Sequence, residues 1–143
     1  MSLELLDQML EPLPYALRDQ ITGYANAIDE SGEDIFATAQ VPFDRTLLDR
    51  VVFLAGVCRL WTLVDWQFSI LSNSLSILSS SQVEGFAIGR RRLDRQSQEF
   101  VDLDRMRTEL LRRIRDLDCE RYVALRSVQE ILLLLREEAS GHQ

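Results

Sequence analysis

The sequence predicts an all-α fold, mainly a helical bundle with a long C-terminal helix, and three observations carry that prediction. Apolar residues recur at steps of three and four along most of the chain, the signature of amphipathic helices. Hydrophobic residues make up 46% of the sequence, too many for a disordered chain, and Pro12, Pro14, Gly32 and Pro42 punctuate the periodic segments. A chain of 143 residues can bury one core, so a single helical domain over residues 1–143 is expected.

Each element follows in order. Ser2 is a candidate N-cap for a short helix over Leu3 to Leu10, which Pro12 and Pro14 then stop. From Tyr15 to Glu30, Leu17, Ile21, Tyr24 and Ile28 step by four, three and four, giving a second helix that ends at Ser31-Gly32. Residues 31–44 read as an extended connector, because Gly32 and Pro42 oppose regular helix; Ile35, Phe36, Val41 and Phe43 are positioned to pin it to the core. Asp44 caps a long third helix that is apolar almost all round from Leu47 to Leu71, as expected of the central member of a bundle. Arg59, Asp65 and Gln67 within that run argue against a membrane span.

Serines then alternate with Leu75, Ile77 and Leu78, which predicts fraying near Ser79 and a flexible loop or hairpin over residues 79–95. Within it, Phe86 to Leu93 read as a short extended piece or tight β-hairpin around Gly89, exposing Arg90, Arg91 and Arg92. A final helix is expected from Ser97 or Asp102 to Glu138, with a kink or change of face around Asp118 to Tyr122. Its end carries a coiled-coil-like seam, Leu125, Val128, Leu132 and Leu135, at steps of three, four and three. Near 36 residues, such a helix would extend on the order of 54 Å, and part of it would pack on another chain.

The charges are polarised. Residues 1–60 hold 4 Arg and 10 acids, whereas residues 90–143 hold 12 Arg and 11 acids, so the net −7 is concentrated in the N-terminal part. That polarity suits head-to-tail contact between identical subunits. All 16 basic residues are Arg; codon bias in a GC-rich genome explains this best, although Arg also favours bidentate ion pairs at interfaces. Along the helix, acids interleave with Arg and cancel most of the field that phosphate binding needs, leaving Arg90, Arg91, Arg92 and Arg95 as a local patch for an acidic protein surface or, incidentally, for DNA. Trp61 and Trp66 are core residues or interface anchors.

No residue set composes an active site. The only histidine, His142, sits next to the C-terminal residue, which leaves Ser-His and Cys-His schemes without a placed base. Cys58 and Cys119 lack metal or redox spacing and read as small buried apolar residues. Acids such as Asp102 with Asp104, or Asp116 with Asp118 and Glu120, are two residues apart on a helix and point to different faces, so no cofactor, metal or small-molecule substrate is expected. The absence of a basic leader with a short apolar core predicts no standard signal peptide and a cytoplasmic or assembled-particle location.

The order Phe86, Ile88, Gly89, Arg91, then Asp102, Leu103, Arg107, Leu110 and Ile114 resembles the small head-to-tail joining proteins of tailed phages over residues 86–115. Arg90 stands where a second Gly is common in that family, and residues 1–80 lie outside the resemblance. The resemblance implies a hairpin followed by a helix in a connector ring at the portal vertex. Its partners would be further copies of the chain and neighbouring neck or portal proteins, its location the virion neck, and it would catalyse no step. The other function class open to the sequence is a cytoplasmic helical-bundle binding or regulatory module, a small homo-oligomer pairing through the C-terminal seam.

Overall fold

The computed structural model describes the backbone of residues 3–80 and 87–141, and the side chains of residues 4–76 and 94–141. Among the described residues there are six α-helices, α1 (Leu3–Leu10), α2 (Tyr15–Glu30), α3 (Gly32–Thr38), α4 (Arg45–Ser80), α5 (Ala87–Asp116) and α6 (Val128–Gly141), with a 3-10 turn at Glu120–Tyr122. The all-α expectation holds. None of these helices is long and apolar enough to cross a membrane.

Four expectations are corrected. The expected extended connector over 31–44 contains α3, and only its last residues are irregular. The short β-hairpin around 86–93 is absent: residues 87–93 are the first turns of α5, with Phe86 outside the described residues. The single long C-terminal helix is two helices, α5 and α6, separated by the 3-10 turn; the helix of 36 residues is α4. Of the expected flexible segment at 79–95, residues 81–86 lie outside the described residues and residues 87–95 are helical.

The helix ends show why those boundaries were missed. Gln40 N–H donates to the Ala37 carbonyl at 3.1 Å and Val41 N–H to that of Phe36 at 2.9 Å, with Gln40 at φ 58°. The same pair of bonds closes α5: Asp118 N–H to Arg115 at 3.0 Å and Cys119 N–H to Ile114 at 2.8 Å, with Asp118 at φ 56°. Both are Schellman caps, normally signalled by Gly but built here on Gln and Asp. By contrast the start of α4 follows the sequence: Asp44 Oδ1 accepts from Thr46 N–H at 2.9 Å and Leu47 N–H at 3.4 Å.

The chain gathers into two compact units, Met1–Leu60 with Arg113–Gln143, and Trp61–Arg112. In the first unit α4 is the central helix: Leu48, Val51 to Ala55, Val57, Cys58 and Leu60 are all buried. Leu6 and Leu10 of α1, Ile21 and Ala25 of α2, Phe36 of α3, and Ile131, Leu132 and Leu135 of α6 are buried in this unit as well. Helix α1 comes so close to α4 at Gly56 that a Cβ there would stand 2.6 Å from Leu6 Cδ2. The Phe43 ring lies half exposed, 5.3 Å from that of Phe36.

Candidate functional site

The second unit is an antiparallel helical hairpin of the C-terminal part of α4 and the N-terminal part of α5. Its pairing runs from Asp65 with Arg107 (2.8 Å), through the Phe68 and Phe100 rings (centroids 5.0 Å apart), to Ser74 Oγ donating to Gln96 Oε1 at 3.3 Å. On α4 the inner positions are Val64, Phe68, Leu71 and Leu75, and on α5 Phe100, Leu103, Arg107 and Leu110. Both sets step by three and four, as an antiparallel seam requires.

Arg107 takes a seam position on α5 where an apolar residue is usual. Its guanidinium lies 4.4 Å from the Phe68 ring centroid and 5.5 Å from that of Trp61, and its Nε is buried without a hydrogen-bond partner. Stacking on two rings and pairing with Asp65 accommodate the charge in a half-buried place, a geometry a lysine ammonium would not reproduce.

Two helices cannot enclose much. In this unit only Val64, Leu103 and Leu110 are buried among the described residues, while Trp66 is 61% exposed and Ile70 49%. With Leu71, Leu103 and Met106 they line an open groove of about 630 Å³ between the two helices. Among the described residues its polar lining is Gln67, Ser74, Gln96, Glu99 and Asp102, two acids and no base. Gln98 Nε2 donates to Asp102 Oδ1 at 3.1 Å and holds that carboxylate in place. An exposed Trp beside an exposed Ile, bordered by polar groups, has the make-up of a protein-binding hot spot.

The sequence-based candidates divide between the units. Trp61 is half-buried under Arg107, Trp66 is the more exposed of the groove's two exposed apolar residues, and Arg95 is exposed on α5 of the same unit. The side chains of Arg90, Arg91 and Arg92 lie outside the described residues. Leu132 and Leu135 are core residues of the first unit, with Val128 and Leu125 half-buried beside them in sequence, so the seam is largely taken up within the chain. Ile70, Glu99 and Met106 were not named as site residues from the sequence, and Asp102 was weighed there as a metal ligand with Asp104 and as part of the resemblance. The signal for Ile70 was its i, i+4 spacing from Trp66.

In the first unit the titratable cluster is structural. Cys58 Sγ donates to the Tyr122 carbonyl at 2.9 Å, and burial pushes its thiol up from 9.0 to about 12. Burial also raises Cys119. Both thiols are therefore protonated and poorly nucleophilic at neutral pH. Tyr122 O–H donates to Glu138 Oε2 at 2.6 Å, and burial followed by that bond raises the phenol. Asp118 pairs with Arg121 and Glu120 with Arg115, and among the described residues no group of three or more His, Cys, Asp or Glu is arranged to hold a metal.

The geometry thus defines a helical protein with an open, partly apolar groove on a two-helix unit. No protein-family model matches the chain, and neither a curated protein nor a solved structure matches it.

Proposed function

We propose that the chain is a structural adaptor that holds other proteins through the α4–α5 hairpin, and that it serves as a head-to-tail joining protein in a tailed-phage neck, assembled there as a ring of copies. The observation that carries the adaptor reading is the exposed pair Trp66 and Ile70 on a unit too thin to enclose its own apolar residues. Covering those two side chains would stabilise a complex by about 3–5 kcal/mol before ordering costs. The neck assignment rests on the resemblance of residues 86–115. Its helical portion, Asp102 to Ile114, is helical here, whereas the hairpin that would precede it is replaced by helix from Ala87. Pairing through Leu132 and Leu135 as a small homo-oligomer is less well supported, because both side chains are already buried in the first unit.

Mass in solution by light scattering tests the proposal, with the products of neighbouring genes added singly. The expected result is a large complex with one such protein, lost when Trp66→Asp and Ile70→Asp are combined. A complex that the double variant forms as well as the native chain would overturn the adaptor reading.

A further inference from the structure

The groove chemistry narrows the partner, and the narrowing rests on the adaptor reading above: we infer that the hairpin receives one amphipathic helix of another protein, apolar on one face and carrying Arg or Lys beside it. The floor is apolar, from Trp66, Ile70, Leu103 and Met106, and it lies between two antiparallel helices. A third helix laid in such a groove completes a three-helix bundle and turns a poorly enclosed pair into a closed core.

Charge selects among helices. Glu99 and Asp102 are exposed on α5 at the groove, and no cation accompanies them among the described lining residues. The one guanidinium within the seam, that of Arg107, is held by Asp65 and two aromatic rings. A ligand with basic residues flanking its apolar stripe therefore gains at the rim, and an acidic one is repelled. A second copy laid groove on groove would bring the same acids and, among the described lining residues, no basic flank to meet Glu99 and Asp102.

The test uses the full chain carrying Trp61→Phe, so that Trp66 alone reports. The probes are two synthetic amphipathic peptides of about 18 residues, five helical turns, with the same Leu stripe, one flanked by Arg and the other by Glu. The Arg peptide is expected to blue-shift Trp66 emission saturably and to bind about tenfold tighter than its twin, with the advantage shrinking at high salt. Glu99→Arg combined with Asp102→Arg, both exposed and tolerant of substitution, should reverse the preference. Equal affinities, binding by neither peptide, or a concentration-dependent dimer that shields Trp66 without peptide would overturn the inference. If the peptides fail while Trp66→Asp with Ile70→Asp still abolishes the large complex, only the partner's chemistry is wrong. If the double variant assembles normally, the adaptor reading falls as well.

Discussion

Replacing Tyr122 with alanine will destabilise the first unit by about 3–5 kcal/mol, the range for deleting a fully buried aromatic side chain. Tyr122 is 0% exposed although it sits in a single 3-10 turn between α5 and α6. It ties three elements together. Its carbonyl accepts from Cys58 on α4 at 2.9 Å, its hydroxyl donates to Glu138 on α6 at 2.6 Å, and its own N–H closes onto the Cys119 carbonyl at 3.0 Å. Truncation removes the ring and leaves Glu138 with Arg121, at 3.3 Å, as its remaining described partner. Urea denaturation followed by circular dichroism would measure the loss. Tyr122→Phe separates the ring from the hydroxyl and should cost only about 1 kcal/mol, the worth of one hydrogen bond.

Alkaline pH will act on the same cluster. The Cys58 thiol is raised from 9.0 to about 12 in the folded chain, first by burial and then by the neighbouring Cys119. The folded state holds that proton more tightly than the unfolded state does. Its contribution to stability is fully present below about pH 9 and is lost as pH rises through about 12. The slope is about 1.4 kcal/mol for each pH unit in that window, so on the order of 4 kcal/mol is lost across it. Cys119 and Tyr122 are raised as well and push in the same direction. Denaturation midpoints from pH 8 to 12 would show the fall, and Cys58→Ala should reduce it to the part due to Cys119 and Tyr122, at a cost of about 1–3 kcal/mol at pH 7 for the lost buried thiol and its bond to the Tyr122 carbonyl. A native chain whose stability stayed level over that window would show that the thiol is not desolvated as described.

The sequence made α1, α2 and the start of α4 legible because their signals were strong and local. Pro12 and Pro14 part the first two helices, and Asp44 caps α4 as its side chain predicts. Boundaries set by left-handed Gln40 and Asp118 were not legible, since either residue is ordinary inside a helix and neither announces a turn as Gly does. Gly89 misled in the other direction. A lone Gly costs a helix only about 1 kcal/mol, which the flanking residues of α5 absorb, so it marks no hairpin. The start of α6 was signalled and passed over: Ser127 Oγ accepts from Glu130 N–H at 3.1 Å, and Glu130 Oε2 accepts from Arg126 N–H at 3.1 Å, a variant of the capping box.

The groove was only half visible. Trp66 stood out by residue type. Glu99, Asp102 and Met106 gained meaning only from the pairing of α5 with α4 along Asp65–Arg107 and Phe68–Phe100, a long-range register that no local pattern specifies. The C-terminal seam shows the converse. Its period was read correctly for Leu132 and Leu135, but a period cannot say whether the partner surface belongs to the same chain.

Acrylamide quenching of Trp66, in the chain carrying Trp61→Phe, would test the role of the hairpin most directly when measured on the free protein and again in its assembled complex. Trp66 is 61% exposed in the free chain, so quenching there should be strong. If the hairpin is the docking surface, assembly will cut that quenching several-fold, as expected for a Trp buried at an interface centre. Quenching unchanged on assembly would place the contact elsewhere and contradict the proposed role of the groove.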